Sequence, residues 1–276
     1  MRVCRWMFAA LVVSAAAVAT GAALAVGPWP GLAPSVSLPS GDVRYTATRA
    51  GGMTTVKAIR AGTVIASTRI PGAFGIPAVT SLGKAGGLSP DGRLLVLVQP
   101  TDYNGLRAES RFLVLSTDRL ARMATISLRG EFGFDAVSPD RRTLYVIQHS
   151  SANDLVRYVV RAYDLTERRL LSKAIVDKRN PGEVMRGYAV SRATTASGDW
   201  VYTLYTKNPG SSLTFVHALN AAKRSAFCVD LPSWTNGDDI WEAQLELSGT
   251  TLLVKAKDGT TAARIDTKTL KVAATA

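Results

Sequence analysis

Apolar residues along this chain come in short runs separated by turn-forming residues. Leu94–Val98, Phe112–Leu115, Leu144–Ile147 and Leu252–Val254 are uninterrupted, whereas Val43-Arg44-Tyr45 and Trp200-Val201-Tyr202 alternate or nearly so. Runs of this length, rich in β-branched and aromatic residues and bounded by Gly, Pro, Asp and Ser, predict strands. The uninterrupted runs suit strands that are covered on both faces of their sheet. Helical spacing is nearly absent, with one exception at the N-terminus: Trp6 to Val26 carries no charged residue.

The strands recur with order. A turn motif appears at Ser40-Gly41-Asp42, Ser89-Pro90-Asp91-Gly92, Ser138-Pro139-Asp140-Arg141, Ser197-Gly198-Asp199 and, more weakly, Ser248-Gly249-Thr250. The spacing is about 50 residues, and a β-rich run follows each turn. Pro presets such a turn, Asp bonds its own backbone, and Gly accepts a positive φ. A second signature comes later in each unit: Phe112–Asp118, Val159–Thr166, Phe215–Asn220, Ala262–Thr267 and, weakly, Val56–Gly62. Each is a strand and a polar turn leading to another strand, such as Ser172–Val176. A short strand such as Phe134–Val137 precedes each serine motif. Four strands per unit and five units predict an all-β chain: a β-propeller of about five four-stranded blades, preceded by an N-terminal hydrophobic helix. The expected division is a leader at 1–26, a Pro/Gly linker at 27–34 and the propeller at 35–276.

At Ser89–Val98, Ser138–Val146 and Tyr163-Asp164-Leu165-Thr166 the sequence resembles the bacterial exported β-propellers with TolB-like, YVTN or WD40-like repeats. That superfamily includes periplasmic scaffolds and lactonase-like enzymes. The resemblance implies a fold, because the residues that carry it build blades and do no chemistry. Its members usually have six to eight blades, so five units imply either a five-bladed ring or an open array completed by another chain.

The N-terminal run reads as an address. Arg2 and Arg5 precede it, and Ala23-Leu24-Ala25 supplies the small-x-small pattern that signal peptidase reads. The run is also long enough to span a bilayer if uncleaved. The expectation is therefore a secreted or cell-envelope protein, released by cleavage or held by residues 6–26. Cys4 lies before the run and Cys228 after it, so the exported part has no internal disulfide. Cys228, in a strand-like run, is expected to act as a small buried hydrophobe. The formal net charge is +12, and removing the two leader arginines leaves an excess of about ten positive charges. A basic exported protein fits a protein or anionic cell-envelope polymer as partner. Nucleic acid is disfavoured, since the basic pairs are scattered and lack interleaved aromatics.

No G-x-S-x-G elbow, phosphate-binding glycine loop or C-x-x-C is present. Two histidines, His149 and His217, cannot form a histidine-rich metal site. No cofactor, metal or catalytic set is expected. His149 is placed where a strand leaves the core, in a surface or loop hydrogen bond, and His217 on a blade face. Ligand contacts are expected from the loops 100–110, 149–157, 177–187 and 232–242 at one mouth. Trp234, Asp238, Asp239, Trp241 and Glu242 cluster in the last of these. Two indoles beside acids could stack on a sugar or a cation; alternatively, Trp241 plugs the channel while the aspartates cap a turn. Asp135, Glu242 and Glu246 are the carboxylates expected near inner strands. The functional expectation is a non-enzymatic binding or scaffolding module, and its rival is an exported hydrolase of a glycan or lactone using carboxylates at the channel mouth.

Overall fold

The computed structural model describes residues 31–274 apart from 102–105, 150, 152, 155, 183, 208–212 and 233–238. The leader and most of the linker lie outside the described residues. A short pair, β1 (Leu32–Ala33), reaches into the expected linker. The first sheet contains β2 (Ser35–Val36), β3 (Val43–Ala50), β4 (Met53–Arg60) and β5 (Thr63–Pro71); β6 (Ile76–Pro77) pairs with β1. The second sheet contains β7 (Leu94–Val98), β8 (Glu109–Ser116) and β9 (Arg122–Arg129). The third has β10 (Glu131–Val137), β11 (Thr143–His149), β12 (Arg157–Asp164) and β13 (Arg169–Leu170), with β14 (Met185–Arg186) also on β12. The fourth has β15 (Tyr188–Thr194), β16 (Trp200–Thr206), β17 (Thr214–Asn220) and β18 (Ser225–Asp230). A 3₁₀ turn at Asp239–Glu242 leads to the fifth: β19 (Gln244–Ser248), β20 (Thr251–Lys255), β21 (Thr261–Asp266) and β22 (Val272–Ala274). Each is an antiparallel meander in chain order. Among the described residues no helix is long and apolar enough to cross a membrane.

Two expected strands are shorter than the pattern predicts. The run Ser172–Val176 makes a single bridge, Ile175 to Val160, and the fourth strand of that sheet is Arg169–Leu170. The innermost strand of the second sheet is likewise reduced to a bridge between Leu88 and Leu95.

The repeated turns explain the meander. The Ser89 hydroxyl donates to the Asp91 carboxylate at 2.7 Å and accepts from the Leu94 amide at 2.9 Å. Ser138 does the same with Asp140 and Thr143. In the fourth unit the equivalent residue is Thr195, two positions before the serine of the sequence motif: its hydroxyl accepts from the Trp200 amide and Gly198 bonds back to its carbonyl. The first unit aligns on Leu38, to whose carbonyl Gly41 donates. What recurs is a turn closed by a residue five before the strand. The second signature also has a geometric basis. Asp164, Asn220 and Asp266 accept backbone amides ahead of them. The residues four further on, Arg168, Arg224 and Leu270, take positive φ. The side chain satisfies the turn amides and so supports that conformation.

Packing between sheets is apolar and sequential. Leu95, Leu97, Leu113 and Leu115 join the second sheet to Val56 and Ala58 of the first. Val96, Phe112 and Val114 face Leu144 and Val146 of the third. Tyr145, Tyr158 and Val160 meet Val201, Tyr205 and Phe215 of the fourth. Val190, Leu204 and Val216 meet Leu245, Leu252 and Ile265 of the fifth. The uninterrupted runs thus bury both faces, as in β17, where every residue is buried. The two end sheets differ. In β4 and β21 buried and solvent-facing residues alternate over much of the strand, and among the described residues no apolar cluster joins the fifth sheet to the first.

Candidate functional site

The serine turns gather at one end of the sheets. At the other end a cavity of about 370 Å³ opens among the first four sheets. Its walls are apolar, with Val98, Phe132, Phe134, Ile147 and Ala189 prominent, and its polar lining includes Arg49, Arg107, Glu131, His149, Tyr158 and Tyr205 besides Gln99 and Thr101. The size falls in the range of small-ligand pockets.

Glu131 is the one acidic residue among the described lining residues, and its side chain is only 1% exposed. Arg107 holds it: Nε donates to one carboxylate oxygen at 2.8 Å, an Nη donates to the other at 2.6 Å, and the Arg107 amide adds a third bond. The remaining guanidinium N–H groups donate to the carbonyls of Gln99, Pro100 and Phe132. Every donor of the fork is thereby used, and the pair is a fastening between loop 99–107 and β10. Arg49, exposed on β3, forms no ion pair with a described residue and gives the lining a net positive charge.

Tyr158 and Tyr205 stack at 5.3 Å, and Tyr205 stacks in turn on Phe215 at 5.2 Å. Burial holds both phenols neutral, well above their ordinary range. The Tyr158 hydroxyl is near enough to Tyr205 to perturb it, but makes no well-formed hydrogen bond with a described residue. His149 also lines the cavity. It is buried at 6% exposure, 6.1 Å from the Tyr158 ring, and not on the surface as its strand-end position predicts.

Residues 78–85 form a small hairpin, bridged from Ala78 to Ala85, whose tip bonds to the fourth sheet. The Ser81 amide donates to the Ala189 carbonyl, and Lys84 Nζ donates to the Arg192 carbonyl at 2.5 Å. Burial, then the neighbouring Arg192 charge, lowers the Lys84 pKa. Arg192 extends from β15 to β10, where it donates to the Asp135 carbonyl at 2.6 Å and its carboxylate at 2.5 Å, with Nε on Thr203 at 3.0 Å. Asp135 and Arg192 side chains are 4% and 7% exposed. Asp135 sits at the irregularity in the β10–β11 register, between Phe134 and Ala136. Behind them His217 is buried, and burial holds its pKa down at about 4 despite the partly opposing Asp135 charge. Its Nε2 has no partner among the described residues.

The described residues of the 232–242 loop are not among those that line this cavity. Trp234 and Asp238 lie outside the described residues, and Asp239 opens the 3₁₀ turn. Trp241, half-buried, packs edge-on against Tyr188 at 5.7 Å and against the core of the fourth and fifth sheets. Glu242 is exposed and paired with Lys257 at 2.6 Å. Glu246 is exposed on the fifth sheet. The expected carboxylates therefore do not converge: Asp135 is clamped and Glu242 and Glu246 face solvent. Cys228 is partly buried beside Phe215. Among the described residues no cluster of three metal-ligating side chains occurs. Sequence reasoning missed Glu131, Arg107 and Arg192; two acids within the apolar run Glu131–Val137 were the available signal.

No family model matches the chain, and no curated protein matches it. Solved structures do. Hydrazine synthase from Kuenenia stuttgartiensis is 16% identical with a TM-score of 0.45, over 87% of this chain and 78% of that one. The Cps50 (Swd1) β-propeller domain from Myceliophteria thermophila is 16% identical with a TM-score of 0.46, over 83% and 64%. A puromycin-hydrolyzing peptidase from Mycobacterium tuberculosis is 17% identical with a TM-score of 0.47, over 87% and 37%. The chain is all-β with repeated four-stranded sheets, and its structural neighbours include β-propellers.

Proposed function

We propose that this chain is an exported, non-enzymatic binding module of the cell envelope, built as a five-bladed propeller array left open between its first and fifth sheets. The observation that carries the reading is the state of the two buried carboxylates, Glu131 in the cavity wall and Asp135 outside it. Glu131 is saturated by Arg107 and Asp135 by Arg192, so neither is placed to protonate a leaving group or attack one. What remains at the mouth is an apolar cavity with one uncompensated cation, Arg49, and a buried phenol, Tyr158. That lining suits an apolar body carrying a single anionic head, as a small molecule or as the side chains of a partner. The charged leader and apolar run support export, and the net charge of +12 supports an anionic envelope partner.

The test is ligand-observed NMR with a set of small arylcarboxylates on the full chain, on Ala189→Trp, which fills the cavity, and on Arg49→Ala. Binding to the parent that is lost in Ala189→Trp and weakened in Arg49→Ala is expected. Absence of binding, or binding indifferent to Ala189→Trp, would overturn the cavity assignment.

A further inference from the structure

The first sheet has one face that the rest of the described protein leaves uncovered. Alternation along β3, β4 and β5 turns Tyr45, Val56, Ala58 and Ile70 toward the second sheet, and the intervening residues outward. The register sets Arg44 opposite Ile59, which is opposite Val64; Thr46 opposite Lys57, which is opposite Ser67; and Thr48 opposite Thr55, which is opposite Arg69. Arg44, Lys57 and Arg69 therefore lie on one diagonal, one to a strand, and all three are exposed. Diagonal neighbours on an antiparallel sheet are about 7–8 Å apart, so the line is roughly 15 Å long. None of the three forms an ion pair with a described residue, and no acid stands on the face between them. The acid at its edge, Asp42, is taken by Arg60 at 2.8 Å. Hydroxyls of Thr46, Thr55 and Ser67 fill the spaces between the cations.

We propose that this face binds a linear acidic polysaccharide, its carboxylates on Arg44, Lys57 and Arg69 and its hydroxyls on the threonines and serine. A guanidinium pairs with a carboxylate through two parallel bonds, and a flat row of spaced cations fits an extended chain of charges. The face carries no aromatic side chain on which a base would stack, and its apolar members, Ile59 and the exposed Val64, lie at the Arg44 end. The fifth sheet's open face mixes Glu246 with Arg264 and has no single sign. The assignment rests on the binding-module reading for its setting, but uses a different surface from the mouth cavity.

The experiment titrates the full chain with polygalacturonate at about 0.15 M salt, with dextran as the neutral control. The face is altered in Arg44→Gln/Lys57→Gln/Arg69→Gln. A second triple, Arg119→Gln/Arg122→Gln/Arg129→Gln, removes the same charge from exposed positions beside and along β9. Affinity should fall tenfold or more in the first triple and stay within about twofold in the second, with a shallower salt dependence in the first. Ala189→Trp should leave polygalacturonate binding unchanged, which separates this site from the cavity. No polygalacturonate binding, equal loss in both triples, loss in Ala189→Trp, or tighter binding of polyglutamate or single-stranded DNA would overturn the proposal.

Discussion

Asp177 joins two sheets through one carboxylate. It follows the third sheet, bridges to Ala226, and accepts the Cys228 amide of β18 at 2.8 Å while Arg179 grips both its oxygens. Arg179 also donates to the Cys228 carbonyl and lies over the Phe227 ring at 5.2 Å. Burial pushes the Asp177 pKa up, but the Arg179 side chain and the two amides outweigh it and hold the group at about 2. A carboxylate held below its ordinary value stabilises the fold above that value and stops doing so as it is protonated. Asp177→Asn should therefore lower stability at neutral pH by about 1–3 kcal/mol, and its deficit should shrink as pH falls from about 4 to about 2. Urea midpoints of both proteins across that range check this. His217 titrates with the opposite chemistry: its folded value of about 4 lies below the ordinary 6.5. Between these values the unfolded chain takes up a proton that the folded one refuses, so stability falls as pH drops from about 6.5 to 4. His217→Gln should flatten that slope, and a parent and variant with the same slope would contradict it. The sequence shows a histidine in mid-strand; the cover that desolvates it comes from neighbouring strands and the third sheet, which no local pattern reports.

At the scale of elements, the turn end is crowded. Gly198 has φ of 75°, and a Cβ there would lie 2.0 Å from the Pro90 ring, which belongs to the turn of the second unit. Gly198→Ala should cost roughly 2 kcal/mol or more, combining backbone strain with a clash. Gly249→Ala, with φ of 59° and open space around it, should cost only about 1 kcal/mol. Thermal melts of the two variants test the difference; equal losses would mean that the two turns do not touch. The strands and the repeat were legible because their pattern is local: Leu94–Val98 and Leu144–Ile147 read as strands by composition alone. The turn alignment was less legible. Thr195, not Ser197, plays the part of Ser89, because the position needs a hydroxyl facing the strand five residues on and the backbone does the rest.

Across the whole molecule, the Asp135–Arg192 clamp ties the third sheet to the fourth, and the 78–85 hairpin is bonded to the fourth beside it. Arg192→Met leaves Asp135 buried without its partner and should destabilise by about 3–5 kcal/mol, whereas Asp135→Leu/Arg192→Met should recover most of that. Urea titration of the three proteins decides, and a double variant no better than the single would assign the loss to packing. Nothing in the sequence pairs residues 57 positions apart, which is why Asp135 reads as a candidate acid until Arg192 is seen on it. For the same reason the cavity was legible only as a set of loops, with Arg107 inside one of them, and the pairing of Arg107 with Glu131 not at all. The most direct test of the central claim, a mouth that binds and does not hydrolyse, is a turnover assay of the full chain on aryl glycosides and lactones, beside Glu131→Gln and Asp135→Asn. The account predicts no turnover above background in any of the three. Hydrolysis by the parent that disappears in Glu131→Gln or Asp135→Asn would contradict it.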